Sequence, residues 1–253
     1  MQIEVVTLFP EMIRQALGFG IVGRAIERGL VQVGTEDPRA HTHDVHRTVD
    51  DRPYGGGPGM VLKPEPMAAA IDAAVARAPR GAPKVYLSAQ GEPFSQRLAH
   101  ELAAFDGLVL VAGRYEGVDE RVIASRIDRE VSLGDFVLSG GEVPALAVID
   151  AVARLLPGVL GDARSSVEDS FSDGLLDWPH YTRPVQFEGR AVPAVLQQGN
   201  HADIRRWRLK QAVARTWRRR PDLIARGGLG REASELLNEF LEEERHGQHH
   251  SAD

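Results

Sequence analysis

The 253-residue chain contains no cysteine, which excludes disulfides and thiol chemistry and fits a cytoplasmic protein. No run approaches the ~18 apolar residues of a membrane span. The N-terminus, Met1-Gln2-Ile3-Glu4-Val5-Val6, lacks a basic region followed by an apolar one, so no secretion signal is read there. The Gly-x-Gly-x-x-Gly fingerprint is missing, which argues against a nicotinamide-dependent dehydrogenase. The glycine-rich run Gly55-Gly56-Gly57-Pro58-Gly59 lacks the Gly-Lys-Ser/Thr ending of a nucleotide-triphosphate loop. It can still offer backbone N–H groups to a base or phosphate. Acidic residues are absent from 204–220, where Arg205, Arg206, Arg208, Lys210, Arg215, Arg218, Arg219 and Arg220 gather. The net charge of −6 argues weakly against a nucleic-acid binder. Local charge nevertheless decides where a polyanion docks, because fields are screened within ~10 Å.

What is present is ordinary for a soluble globular chain: 43% hydrophobic and 26% charged residues, enough to bury a real core. Strand patterns at 2–9, 30–35, 84–88, 108–112 and 128–133 alternate with helix patterns at 11–17, 20–28, 64–77, 94–103, 119–125 and 142–156. Residues 1–160 are thereby predicted to form an α/β domain with a largely parallel sheet. Residues 41–59 are too polar and too rich in Gly and Pro for regular structure, and long loops in compact domains are often functional. His41, His43 and His46 lie there, but no second ligand cluster has matching spacing, so a metal reading is weak. Residues 161–174 read as a linker. Helices at 201–219, capped by Asn200, and at 233–244 predict a smaller, all-helical domain over 175–245. Residues 246–253 are expected to be a disordered tail.

The most informative stretch is Ser132-Leu133-Gly134-Asp135-Phe136-Val137-Leu138-Ser139-Gly140-Gly141-Glu142, which joins a strand to a helix. It reads either as a tight connection or as a ligand loop, since glycine lets backbone approach a ligand closely. Two other strand ends carry similar loops, Leu87-Ser88-Ala89-Gln90-Gly91 and Ala112-Gly113-Arg114-Tyr115-Glu116-Gly117. Loops at the carboxyl ends of parallel strands converge on one crevice, which could hold a flat polar ligand such as an adenosine. Asp169 sits in the linker, either as a solvated acid or as a carboxylate delivered to a substrate. Arg154 lies near the end of an apolar helix, where it either snorkels or meets an anion. The basic helix, with Trp207 and Trp217 interleaved, suits phosphate contacts, and a solvated basic face is the alternative.

These segments resemble the bacterial tRNA (guanine-N1)-methyltransferase family almost end to end. The resemblance runs through His46–Met60, Gly113–Val122, Ser132–Glu142, Asp169–Phe171, Gly174–Asp177, Pro179–Pro184 and Gly199–Gln211. It implies a trefoil-knotted α/β domain of the SPOUT class with a helical C-terminal domain. Periodicity alone gives an unknotted doubly wound sheet, because knots are nearly absent from proteins. It also implies a homodimer with active sites shared between subunits, tRNA as partner, and S-adenosylmethionine as methyl donor. By residue type the donor site maps onto Tyr86, Leu87 and Ser88, onto Gly113, Tyr115 and Glu116, and onto Ser132, Leu133, Gly134, Asp135, Phe136, Val137, Leu138, Gly140, Gly141 and Pro144. Asp169 is the implied general base and Arg154 the implied stabiliser of guanine O6. Pro58, Gly59, Arg205, Arg208 and Lys210 are expected at the RNA, and Glu116 is the candidate to help hold Mg²⁺. Phe136 stands where a tyrosine is frequent, Leu133 where an isoleucine is, and Trp178 where a small residue or cysteine is.

Overall fold

The computed structural model describes residues 1–161 and 169–249. Residues 162–168 of the expected linker and 250–253 of the expected tail lie outside the described residues. The chain divides into two compact units, Met1–Ala163 and Arg164–Asp253.

In the first unit five strands form one sheet in the order β2-β1-β6-β5-β7. They are β1 (Gln2–Val6), β2 (Gln32–Glu36), β5 (Lys84–Pro93), β6 (Gly107–Ala112) and β7 (Arg129–Ser132). Every pairing in this sheet is parallel. A parallel sheet needs both faces covered, so its strands run apolar without a polar side. The central strand β6, Gly-Leu-Val-Leu-Val-Ala, is buried along its whole length.

Alternation along the strands then sorts the core into two layers. Ile3, Val5, Val85, Leu87, Leu108 and Leu110 face one layer of helices. That layer comprises α1 (Pro10–Leu17), α2 (Gly20–Glu27), α4 (Gln96–Ala103) and α6 (Glu142–Ala153). Val6, Tyr86, Val109 and Val111 face α3 (Pro64–Arg77) and α5 (Glu120–Arg126) on the other side. Helix starts follow local chemistry. Pro10 and Pro64 sit at first helical positions, where a missing N–H costs nothing. Ser95 and Asp119 accept from the first-turn N–H groups of Leu98 and Arg121. The Ser95 cap explains why α4 starts at Gln96 and not at the expected Phe94.

Three departures from expectation concern short or irregular pairing. The polar stretch 41–59 contains β3 (Asp50–Asp51), paired antiparallel with β4 (Val61–Leu62). These strands close the glycine-rich loop at its base. Strand β5 does not end at Ser88: it continues to Pro93, with residues 88–91 thrown out as a bulge between two pairings with Val131. The second unit holds α7 (His201–Arg219), α8 (Pro221–Gly227) and α9 (Arg231–His249). It is not purely helical, because β8 (Gln186–Phe187) and β9 (Arg190–Ala191) form a hairpin. Its turn, Glu188-Gly189, takes φ of 49° and 74°, which suits a two-residue hairpin loop. Helix α9 runs to His249, past the expected end at Glu244. Asn200 caps α7 by accepting from the Ala202 N–H at 3.1 Å. The fully buried Thr216 stitches the chain to α7: its hydroxyl donates to Ala212 O and accepts from Leu176 N–H.

Candidate active site

A cavity of about 360 Å³ opens beside the carboxyl ends of β5, β6 and β7. Parallel strands present their terminal loops on one side, and that is where ligands of open α/β sheets bind. With the exception of Asp135, every residue expected to hold the donor lines this cavity. They are Tyr86, Leu87 and Ser88; Gly113, Tyr115 and Glu116; and Ser132, Leu133, Gly134, Phe136, Val137, Leu138, Gly140, Gly141 and Pro144. Asp135 is exposed and does not line it.

The loops approach one another backbone to backbone. The Gly141 N–H donates to Gly113 O at 2.9 Å. A β-carbon at Gly141 would lie 2.6 Å from Ala112 Cα, and one at Gly113 2.7 Å from the Tyr86 hydroxyl. No side chain fits at either position, so the glycines serve the approach of the walls. The buried Tyr86 ring is the floor under this contact. Its Oη accepts from Val118 N–H, and burial pushes the phenol pKa up, so it stays protonated. The Ser132 hydroxyl both donates to Gly134 O and accepts from Gly134 N–H, which fixes the first turn of the third loop.

Residues outside the expected set complete the lining, among them Arg114, Glu120, Ile123, Glu130 and Ser139. Arg114 is tied to Glu142 at 2.8 Å. The remaining formal charge on the walls is then acidic: Glu116, Glu120 and Glu130. Apolar walls from Leu87, Val118, Ile123, Leu133 and Leu138 suit a flat ring, and the carboxylates suit a ligand that carries positive charge. Glu120 and Glu130 had no glycine or loop signal to single them out. They come from a helix start and a strand that only the fold brings to the cavity.

The glycine-rich loop is pinned to the same wall. Glu116 N–H donates to Met60 O at 2.9 Å, and Leu62 N–H donates to Gly117 O. Gly59, at φ of 81°, lies so close under the Glu116 side chain that a β-carbon would collide with it. Pro58 and Tyr54 are exposed at the tip of this loop.

Asp169 and Arg154 do not line the cavity. Arg154 caps the far end of α6, whose 12 residues span about 18 Å from Glu142. Asp169 is half-buried in the second unit. On α7 the basic residues are largely paired with acids of α9. Arg205 binds Glu232 at 2.7 Å, Lys210 binds Glu239 and Glu243 at 2.7 Å each, and Arg206 and Arg218 pair with Glu239 and Glu244. Arg208 differs: its guanidinium stacks 4.9 Å from the Trp178 ring, and its buried Nε has no hydrogen-bond partner. Trp178 thus serves as a platform for Arg208, which a small residue could not. Among the described residues no three His, Asp or Glu side chains cluster as a metal site, and His41 pairs with Glu36 at 2.8 Å.

A parallel α/β unit with an acid-lined, glycine-walled cavity beside its strand ends places the chain in the class of α/β proteins whose open sheets present such a crevice to small ligands. Comparison with known proteins gives the family. The profile of "tRNA (Guanine-1)-methyltransferase TrmD" matches residues 1–226. A tRNA (guanine-N(1)-)-methyltransferase of Methylococcus capsulatus is 59% identical over 243 residues, 96% of this chain and 97% of that protein. Its counterpart from Salmonella schwarzengrund is 57% identical over 249 residues, 98% of each chain. The one from Vibrio vulnificus is 53% identical over 246 residues, 97% of this chain and 99% of that protein. The chain belongs to the tRNA (guanine-N(1)-)-methyltransferase family.

Proposed function

We propose that the protein transfers a methyl group from S-adenosylmethionine to N1 of the guanosine 3′-adjacent to the anticodon in tRNA. The observation that carries the reading is the three-loop cavity. Its glycine walls let backbone groups face a nucleoside, and its carboxylates oppose a sulfonium charge. S-adenosylmethionine supplies, when bound there, a methyl carbon activated by that sulfonium and leaves as a neutral thioether.

The chain's own residues do the rest. Guanine N1 carries a proton and cannot attack until it is removed. Asp169 takes that proton as general base, and the N1 lone pair forms the new bond to carbon. A carboxylate is a weak base in water, so a second group must hold the charge that grows on guanine O6. Arg154, a permanent cation with directional donors, has that role. Loss of such a donor costs on the order of 10²–10³ in turnover.

The cavity belongs to the first unit and Asp169 to the second, and Arg154 lies about 15 Å along α6 from Pro144 at the cavity. A homodimer whose subunits share their active sites reconciles these positions, and with it we assign the trefoil-knotted SPOUT topology and cytoplasmic residence. Among the described residues no helix is long and apolar enough to cross a membrane. Among the described residues no group of three His, Asp or Glu is placed to hold a resident metal ion. Glu116 is the carboxylate we assign to share a water-rich Mg²⁺ with the substrate, and no step depends on it. Pro58 and Gly59 approach the RNA from the pinned loop. Arg208 does so from α7, while Arg205 and Lys210 must exchange glutamates for phosphates.

The test is incubation with methyl-labelled S-adenosylmethionine and bulk tRNA, followed by mapping of the modified base. Label at N1 of the guanosine next to the anticodon is expected, and label at another position would overturn the assignment. Asp169→Ala should abolish turnover with little change in donor affinity.

A further inference from the structure

In the cavity wall Arg114, itself part of the lining, forms a charge pair that no catalytic role uses. Glu142 is the first residue of α6 and is fully buried. Its Oε1 accepts from the Thr7 hydroxyl at 2.7 Å, and its Oε2 accepts from Arg114 Nε at 2.8 Å. A buried carboxylate is costly unless such partners surround it, and the N-terminal end of a helix adds a favourable field.

Arg114 reaches in three directions. Beside Glu142, its Nη1 donates to Ser139 O at 3.2 Å, and its guanidinium lies 4.5 Å from the Phe9 ring. Its backbone forms an antiparallel bridge with Gly140, and its side chain fills the space a β-carbon at Gly140 would need. Arg114 belongs to the second cavity loop, whereas Ser139, Gly140 and Glu142 belong to the third loop and the helix it opens. One guanidinium therefore ties the two walls together. The geometry requires a fork: Nε serves the carboxylate while Nη1 serves the carbonyl, and a lysine ammonium cannot span both.

We propose that Arg114 and Glu142 are positioning residues that hold the second and third loops at the separation a bound methyl donor needs. The inference rests on reading the cavity as the donor site. It sets the pair apart from an ordinary buried ion pair by what each variant should lose.

Arg114→Met leaves Glu142 buried without its cation and should raise the dissociation constant for S-adenosylmethionine at least about tenfold, measured by calorimetry. Thermal stability should fall as well. The double variant Arg114→Met with Glu142→Met removes both charges at similar volume, and should regain stability because buried pairs are often replaceable by apolar residues. Donor affinity should stay low, because nothing then holds Ser139 O. Arg114→Lys keeps the charge and a sound fold, and should bind the donor with intermediate affinity. Recovery of donor affinity together with stability in the double variant would show a merely structural pair and overturn the proposal. So would unchanged affinity in Arg114→Lys and Arg114→Met. Failure of the unmodified protein to bind S-adenosylmethionine would overturn the reading of the cavity itself, and the proposal with it.

Discussion

Single residues decide the cavity through what they lack. Gly141 faces Ala112 Cα and the Gly113 backbone nitrogen, at 2.6 and 3.0 Å from where a β-carbon would be. Backbone cannot swing aside as a side-chain tip can, so Gly141→Ala must push the loops apart and lengthen the Gly141–Gly113 hydrogen bond. We expect at least about a tenfold loss of donor affinity, read by equilibrium binding. Gly161→Ala is the matched control, since among the described residues a β-carbon there meets nothing within 4 Å; it should bind normally. If Gly141→Ala binds equally well, the close approach of the loops is not what shapes the site. A second residue governs acid stability. Glu36 is partly desolvated, which alone would raise its pKa, but hydrogen bonds from Arg77 and His41 outweigh this and hold it below 4.5. Arg77 also binds the buried Glu4 at 2.8 Å. A carboxyl depressed by folding contributes stability that is complete above its unfolded value and is lost as pH falls through the folded one. Glu36→Gln should therefore be less stable than the parent at neutral pH, with the gap closing as pH drops below 4.5. Denaturant titrations at stepped pH check this, and a gap that widens on acidification contradicts it.

Elements add what single residues do not show. The positive face of α7 reads from sequence as an open polyanion site, since no acid interrupts it. The fold lays α9 alongside, and in five pairs Glu232, Glu239, Glu243 and Glu244 come from 26 to 33 positions beyond the cations. Exposed pairs of this kind contribute only about 0.2–1 kcal/mol each. A tRNA phosphate can therefore displace them, but at a cost to affinity. Replacing Glu239 and Glu243 by Gln should strengthen tRNA binding severalfold and steepen its dependence on salt, because more counterions are then released. Filter binding across a salt series measures both. No change in either would place the phosphates elsewhere. The same tertiary effect marks how far the sequence could be read. Apolar strands such as β6 and the capped helices are local patterns, and the three glycine loops were legible because a parallel sheet gathers its strand ends on one side. Two-residue strands such as β3 and β8 have no period to detect. The Arg114–Glu142 tie spans 28 residues and left no local trace. The bulge at residues 88–91 has the sequence of a loop, because its return to pairing with Val131 at Glu92 depends on a neighbouring strand.

At the scale of the whole molecule the question is which chain completes which site. Among the described residues the cavity draws only on the first unit, Asp169 belongs to the second, and α6 carries Arg154 about 15 Å from Pro144 at the cavity. If each active site takes its cavity from one subunit and Asp169 from its partner, two differently disabled chains must rescue each other. Co-expressing Asp169→Ala with Gly141→Ala provides the case. In a mixed dimer the Asp169→Ala chain offers an intact cavity to the intact Asp169 of the other chain, so one of the two sites works. The second site carries both defects and is dead. Random pairing makes about half of all dimers mixed, each with one of two sites alive, so activity should return to roughly a quarter of the unmodified level. The assay is run with the donor far below the dissociation constant of the Gly141→Ala chain, so that each variant expressed alone remains nearly inactive. Were cavity and Asp169 of one site drawn from the same chain, the mixed dimer would hold two sites with one defect each. The mixture would then stay as inactive as its parents, and the shared-site assembly would have to be abandoned.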